Sequence, residues 1–285
     1  MLFQEGNSAL VRLSDCIKQG VGNALNTTCH IIALHNQHGD ALSAIRRLAQ
    51  RALAGELPQS EANEMLRKQN QRIPEEDAKR AVWLDGRLHS EVLSVILQVC
   101  FTLESYINSL GYHLLKEKDI LSLSANASAS TVDTFLDAID RMSTLTKWET
   151  LSRLKSDEGL DPSRSPFQDL KILFRFRDDH VHDKVVSYGD DRPKKRYGDK
   201  LPDPVFGLLD LTHAIYACDC YWGLVSEVHT LVGVPLEEFH RHYDLSTWFD
   251  GAFETEVRQK AVLHQRIRNG EQIGPANGSQ PFRSQ

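Results

Sequence analysis

A single segment, residues 74–116, constrains the fold of this 285-residue chain more than any other. Pro74 and the three acids that follow it are typical of a helix start. Because apolar residues then line two columns of this helix, we expect it to lie in the middle of a helical bundle. The columns are Val92, Val95, Ile96, Val99, Leu103, Tyr106, Ile107, Leu110 and Leu114, and then Leu93, Leu97, Cys100 and Leu115.

The rest of the sequence has helical periodicity as well. Apolar residues recur at three- and four-residue intervals, and no stretch of strand length alternates convincingly between apolar and polar residues. We therefore predict an all-α protein. Besides the central helix, the predicted helices are residues 7–35 (with Gly20 and Gly22 as the place for a break), 39–54, 132–141, 144–155, 167–186 and 205–231, and residues 60–71 form an exposed helix or a linker.

Three parts are predicted along the chain. Residues 1–74 form an N-terminal helical extension, residues 75–250 form the main helical bundle, and residues 251–285 form a polar, partly disordered C-terminal tail. We expect the extension and the bundle to make one continuous helical body, because the central helix has two apolar sides to cover.

Charge and composition argue against several classes of protein. A net charge of −6 and a pI near 6.1 argue against a protein coated in positive charge for wrapping nucleic acid, although a local basic patch remains compatible with them. No apolar run approaches the ~18 residues that span a bilayer, and the N-terminus lacks the basic and apolar regions of a signal peptide. We therefore expect a cytoplasmic protein without a membrane partner. The five cysteines are scattered and form no Cys-x-x-Cys pair, which predicts free, mostly buried thiols rather than a zinc site or a disulfide framework.

The most informative motif is Arg-Asp-Asp-His-Val-His at residues 177–182. The apolar residues of its segment fall on one arc of a helix, and Arg177 lies near the middle of that arc. An unpaired charge on a core-facing stripe is costly, so Arg177 requires either a buried ion pair or a bound anion. Glu104, in the second apolar column of the central helix, is either the partner that orients Arg177 or a partly exposed residue at the edge of that helix. Asn108, one turn further on, would complete such a network.

The spacing of the motif suits cleavage of RNA without a metal ion. Asp178 and His182 are four residues apart and share a helix face, and the Arg177 side chain is long enough to reach the same point. His182 would take a proton from the ribose 2′-OH, and Arg177 would stabilise charge on the phosphate. Asp178 would orient the imidazole or the arginine. The Arg-x4-His spacing alone also occurs by chance in many helices.

The motif resembles that of the HEPN superfamily, in which an arginine, a polar residue, three further residues and a histidine lie near the end of a helix. Segments 101–112, 145–148 and 166–171 also resemble bacterial HEPN-like proteins, so the resemblance covers about residues 80–232. It implies an up-down helical bundle that forms a symmetric homodimer, with metal-independent endoribonuclease activity, often as a toxin or antiviral effector. The partners that it implies are RNA, a second copy of the chain and, for a toxin, an antitoxin protein; no cofactor and no metal are implied.

The resemblance also assigns roles to residues of the motif. It implies that Arg177 binds or polarises the phosphate and that His182 acts as general acid or base. Asp178 occupies a position where asparagine is more usual, and an aspartate there repels phosphate unless it is paired with a cation. Cleavage by transesterification would leave a 2′,3′-cyclic phosphate.

Three alternatives remain open. Some HEPN proteins are inactive dimerisation or small-ligand modules, so a non-catalytic, partner-binding helical module competes with the enzyme. A second Arg-x4-His register pairs Arg175 with His180, but Phe176 occupies its polar position. A metal hydrolase built on histidine clusters at residues 30–38 and 229–242 has weaker support, because their spacing lacks the specificity of His-Glu-x-x-His.

A basic run follows the motif helix at Lys194, Lys195 and Arg196. It would guide RNA phosphates, and Tyr197 would offer a face on which a base stacks. Acids at positions 190, 191 and 199 dilute the charge of this run. A solvated loop is therefore the alternative interpretation.

Overall fold

The protein is all-α in a computed structural model that describes residues 13–53, 55–114, 129–153, 159–181, 197, 200–202, 208–233 and 251–271. Within these ranges the chain forms eight helices and no strand, which confirms the predicted fold class. The helices are α1 (Leu13–Leu53), α2 (Gln59–Asn70), α3 (Glu75–Leu114), α4 (Ala129–Asp140), α5 (Thr144–Ser152), α6 (Phe167–Val181), α7 (Leu211–Val232) and α8 (Ala252–Arg268). The HEPN-like, up-down arrangement stays a prediction.

Helix α1 bends in the gap between the helices predicted at residues 7–35 and 39–54, and it does not break at the glycines where a break was also predicted. The chain remains helical through Gly20 and Gly22, and His38 is the residue with non-helical angles, at φ −125° and ψ 25°. A glycine inside a helix costs ~1 kcal/mol, but Ile17 and Val21 are fully buried beside these glycines and offset that cost. The bend at His38 directly precedes position 39, where a second helix was predicted to begin.

The central helix α3 has the predicted apolar faces. The first column is buried from Val92 to Leu110, and Cys100 of the second column is buried as well. Residues 75–111 are long and apolar enough to cross a membrane, but half of their most apolar window is buried inside the protein, as it is in core helices. This helix is therefore weak evidence for a membrane span, and the cytoplasmic location stays a prediction.

The chain divides into two compact units, each made of segments that are distant in sequence. The motif unit comprises residues 1–19, 94–207 and 214–248, and its largest fully buried side chains include Tyr106, Trp148, Phe167, Phe176 and Tyr221. The second unit comprises residues 20–93, 208–213 and 249–285, with Leu84 and Leu88 in its core. The boundary predicted at residue 74 falls between α2 and α3, within the second unit.

Helix α8 lies in the segment that was predicted to be a polar, partly disordered tail. Its buried residues are Val257, Ala261, His264 and Ile267, which recur every three or four positions and so form one stripe. Many residues on the other faces of the helix are charged, which lowers the mean hydropathy of the segment. A narrow apolar stripe of this kind is enough to pack one face of a helix into the second unit.

Candidate functional site

Arg177 is held by two carboxylates in the motif unit. Its Nη1 donates a hydrogen bond of 3.1 Å to Glu104 Oε2 on α3. Its Nε and Nη2 donate to Asp178 Oδ1, at 3.0 and 2.8 Å. We call these three side chains the Arg177 cluster. The expectation that Arg177 needs a partner is met by an ion pair across two helices.

The apolar face of α6 carries Arg177 into this position. Leu170, Leu173 and Phe174 are buried on that face, and the Arg177 guanidinium carbon lies 4.4 Å from the centre of the Phe174 ring. A cation over an aromatic face gains electrostatic stabilisation that an exposed lysine or arginine lacks. The Arg177 side chain is 18% exposed, whereas that of Glu104 is 43% exposed. Glu104 is therefore both a partner of Arg177 and a residue at the edge of the bundle.

The thiol of Cys100 is fully buried and interacts electrostatically with the Arg177 cluster. Burial raises its pKa to about 12; Arg177 opposes the shift, while Asp178 and Glu104 add to it. Its Sγ lies 3.7 Å from the carbonyl oxygen of Leu173. A thiol with this pKa stays protonated near neutral pH, so Cys100 acts as a small apolar core residue.

Asn108 contacts a lysine rather than Arg177. Its Oδ1 accepts a hydrogen bond of 2.8 Å from Nζ of Lys147, a lysine that is only 8% exposed. Beside this pair lies a cavity of about 10 Å³, bordered by Gly111 and Leu151. Asn108 thus offsets part of the free-energy cost of burying the Lys147 ammonium. We therefore place Asn108 outside the Arg177 cluster.

Several of the predicted site residues lie outside the described residues. They are His182, Lys194, Lys195 and Arg196. The geometry between His182 and Arg177 stays a prediction, as does the guiding role of the basic run.

The middle of the motif is built into the core. Asp179 is 8% exposed and accepts a hydrogen bond from the hydroxyl of Tyr197, which is itself 3% exposed. The Tyr197 ring meets the Phe176 ring edge-on at 5.3 Å. The expectation that Tyr197 offers a stacking face to RNA is wrong, because that ring is buried in the protein. Nothing in the sequence predicted this contact between Asp179 and Tyr197, which are eighteen positions apart.

His180 belongs to the second Arg-x4-His register and also packs inward. Its Nδ1 donates to the carbonyl oxygen of Phe176 at 2.8 Å, and its ring lies 4.0 Å from the Phe176 ring. The other ring nitrogen, Nε2, is buried without a partner among the described residues. Arg175, by contrast, is exposed. The register of Arg175 and His180 therefore does not bring a cation and an imidazole to one open point.

Two histidines of the predicted clusters have structural partners. His38 pairs with Asp77 at 2.8 Å, and His229 forms a buried hydrogen bond with Tyr106. His240 and His242 lie outside the described residues. Within the described part of the chain, no group of three or more histidine, cysteine, aspartate or glutamate side chains is placed to hold a metal ion.

No family model, no curated protein and no solved structure matches this chain. The resemblance to the HEPN superfamily therefore depends on the motif at residues 177–182 and on the segments that surround it. Membership in that superfamily stays a prediction.

Proposed function

We propose that this chain is a metal-independent endoribonuclease of the HEPN type, in which Arg177 and His182 act on the scissile phosphate of RNA. The observation that carries the proposal is the orientation of Arg177. Two carboxylates on different helices fix its guanidinium, and the side chain retains 18% of its exposure. A cation fixed in advance stabilises developing charge without reorganising during the reaction.

The guanidinium retains donors for a phosphate. Glu104 and Asp178 accept from three of its N–H groups. Arginine has five N–H donors in a planar fork, so one on Nη1 and one on Nη2 have no acceptor among the described residues. Guanidinium N–H groups of this kind donate charge-assisted hydrogen bonds to phosphate oxygens.

In the proposed reaction the phosphoryl group is transferred within the RNA, from a 5′-oxygen to the neighbouring ribose 2′-oxygen. His182 takes the proton of the ribose 2′-OH, and the 2′-oxygen attacks phosphorus. The bond from phosphorus to the 5′-oxygen breaks, and that oxygen takes up a proton from a second acid. The products are a 2′,3′-cyclic phosphate and a free 5′-hydroxyl, and Arg177 stabilises the charge that builds up on the phosphate oxygens. In a symmetric homodimer, His182 of the second copy is the candidate for that acid.

One observation favours a second candidate function. Within the Arg177 cluster two carboxylates face one cation, so the charge of Arg177 is compensated without any ligand. A surplus negative charge also repels RNA phosphate. These contacts support a non-catalytic helical module for dimerisation or for a partner such as an antitoxin, in which the cluster only stabilises α6 against α3.

Incubation of the full-length protein with single-stranded RNA in EDTA tests both proposals. For the enzyme we expect cleavage products that end in a 2′,3′-cyclic phosphate, and a loss of about 10²–10⁴-fold in rate for His182→Ala. Arg175→Ala, on the exposed side of the same helix, is the matched control and should cleave at the rate of the unaltered protein. The oligomeric state of each variant is checked by size-exclusion chromatography.

Two results would count against the enzyme. Intact RNA after prolonged incubation with the unaltered protein favours the module, particularly if the chain is a dimer. Equal cleavage by His182→Ala and by the unaltered protein removes His182 from the mechanism.

A further inference from the structure

The second unit contains a cleft of about 220 Å³ that the proposed ribonuclease does not use. Four polar residues line it: Arg46 from α1, Asp85 from α3, and His264 and Arg268 from α8. A water molecule occupies ~30 Å³ in the liquid, so the cleft has room for a small organic molecule rather than a single water.

One wall of the cleft is fixed by hydrogen bonds. Arg268 Nη1 donates to the carbonyl oxygen of Leu208 at 3.1 Å and to Asp210 Oδ2 at 2.6 Å. The backbone N–H of Leu209 donates to His89 Nδ1 at 3.1 Å. Leu208 and Leu209 are thereby held as an apolar side of the cleft.

Two of the polar residues have buried atoms without a partner among the described residues. They are Nη1 of Arg46 and both ring nitrogens of His264. His264 is only 2% exposed, so bulk water does not solvate its ring. A buried donor or acceptor that is left unpaired costs ~1–3 kcal/mol, which native proteins normally avoid by supplying a ligand or an ordered water.

The ion pair at Arg46 is loose. Its Nη2 lies 3.6 Å from Asp85 Oδ1, beyond hydrogen-bond distance. Burial lowers the pKa of Arg46 against the effect of Asp85, and burial raises the pKa of Asp85 against the effects of Arg46 and Arg268. In both groups desolvation exceeds the attraction of the pair. The Arg46 guanidinium is therefore under-compensated, and it can turn its Nη1 towards the cleft without breaking a good hydrogen bond.

We propose that this cleft binds a small monocarboxylate with an apolar body, whose carboxylate accepts hydrogen bonds from Arg46 and His264. The charged residues at the cleft favour a ligand with one negative charge over a ligand with two. Arg268 is tightly paired with Asp210 at 2.6 Å, whereas Arg46 lies 3.6 Å from Asp85, so one under-compensated cation is present for one negative charge and none for the second charge of a phosphate dianion. The apolar body would lie against Leu88, Leu208 and Leu209.

His264 suits such a ligand at neutral pH. Burial lowers its pKa to about 4; Asp210 opposes the shift, and Arg46 and Arg268 add to it. The ring is therefore neutral near pH 7 and offers one N–H donor and one acceptor nitrogen. The donor meets a carboxylate oxygen. The site belongs to the second unit alone, so it does not depend on the proposed ribonuclease.

Calorimetric titration of the full-length protein with sodium benzoate at pH 7 tests the proposal. Benzamide, which has the same shape without the charge, and inorganic phosphate are titrated in parallel. We expect one benzoate to bind, with affinity reduced about tenfold or more for benzamide and for Arg46→Met. Arg51→Met is the matched control, because Arg51 lies on the same helix with a side chain 52% exposed, and it should bind benzoate normally.

A second measurement guards against unfolding of the Arg46 variant. In the unaltered protein with ¹⁵N-labelled histidine, benzoate should shift the ring nitrogen signals of His264, assigned with His264→Gln, and leave those of the exposed His30 in place. No binding up to about 10 mM would mean that the cleft holds water only and would overturn the proposal. Equal binding of benzoate and benzamide, or phosphate binding in place of benzoate, would overturn the carboxylate assignment.

Discussion

Glu104 Oε2 and Arg177 Nη1 lie 3.1 Å apart, although 73 positions separate the two residues in the chain. This contact ties the central helix α3 to the motif helix α6 within the motif unit. Asp178 contacts the same guanidinium from within α6. The two carboxylates therefore share one function, which is to compensate a cation that packs on the Phe174 ring.

We predict that removing both carboxylate charges destabilises the protein by more than the sum of the single effects. Glu104→Gln and Asp178→Asn should each lower the free energy of unfolding by about 0.5–1.5 kcal/mol, because solvent screens both carboxylates and the other one still compensates Arg177. The double variant should lose about 2–4 kcal/mol, since it leaves a mostly buried guanidinium with no anion.

Urea denaturation of the four proteins measures this coupling. Glu149→Gln is the control, because Glu149 forms a comparable but exposed pair with Arg153 at 3.4 Å. Its effect should stay below ~0.5 kcal/mol. Strictly additive losses in the double variant would show that Glu104 and Asp178 do not act on the same charge.

The buried hydrogen bond between Tyr106 and His229 should stabilise the core of the motif unit. Tyr106 is 1% exposed, and its ring stacks on Trp148 with 5.7 Å between centroids. Tyr106→Phe keeps the stacked ring and removes only the hydroxyl, so we expect a loss of about 1–3 kcal/mol in the free energy of unfolding. The near-ultraviolet circular dichroism of the folded protein should be retained.

Thr230→Val is the control for this substitution. Its hydroxyl lies on α7, next to His229 in the chain, but it is exposed and donates to the carbonyl oxygen of Ser226. Its loss should change stability by less than ~0.5 kcal/mol. A Tyr106→Phe protein as stable as the original would show that the hydroxyl has no net effect on stability.

Stability should fall as the pH falls from about 6.5 to about 4, because of His264. Its pKa is 6.5 in the unfolded chain and about 4 in the folded protein, where burial disfavours the charged ring. Between these values the unfolded state binds more protons, so the stabilisation is complete above pH 6.5 and is lost towards pH 4. The full loss is up to about 3 kcal/mol.

Urea midpoints measured across this range test the sign and the residue. His264→Gln should flatten the profile, whereas His30→Gln, at an exposed position, should keep it. A profile in which the unaltered protein gains stability on acidification to pH 4 would contradict the assignment of a buried neutral imidazole.

Thiol reactivity should divide the five cysteines into two groups. Cys100, Cys218 and Cys220 are buried, whereas Cys16 and Cys29 are partly exposed. Burial raises the pKa of the Cys100 and Cys220 thiols, and only the thiolate reacts with a disulfide reagent. In the native protein at pH 8 we expect Cys16 to react within minutes and Cys29 more slowly, because burial raises the pKa of the Cys29 thiol as well. All five should react in urea, and fast labelling of Cys100 in the folded protein would disprove its burial.

Local properties of the sequence predicted much of the fold. The period of apolar residues places α3 and α6 correctly, because burial of a helix face depends on spacing along one segment. The period of apolar residues did not identify α8, because its buried stripe is narrow and many charged residues flank it. It also failed at Gly20 and Gly22, because packing of neighbouring residues outweighs the poor helix propensity of glycine.

The Arg177 cluster was predictable only in part. The position of Arg177 on an apolar stripe predicted that it needs an anionic partner, since an unpaired charge there is costly. The sequence did not distinguish Glu104 as a partner of Arg177 from Glu104 as an edge residue. It also indicated Asn108 as a further member of the cluster. The structure pairs Glu104 with Arg177 and Asn108 with Lys147.

By itself the sequence determined that the chain is helical and that its arginine on the α6 stripe must be compensated, because both follow from spacing and desolvation within one segment. Only the tertiary structure decided which carboxylates compensate it, and that Arg46, Asp85 and His264 line one cleft in the second unit. Those contacts join segments that are distant in sequence, and the spacing of residues within a segment carries no information about which distant segment packs against it.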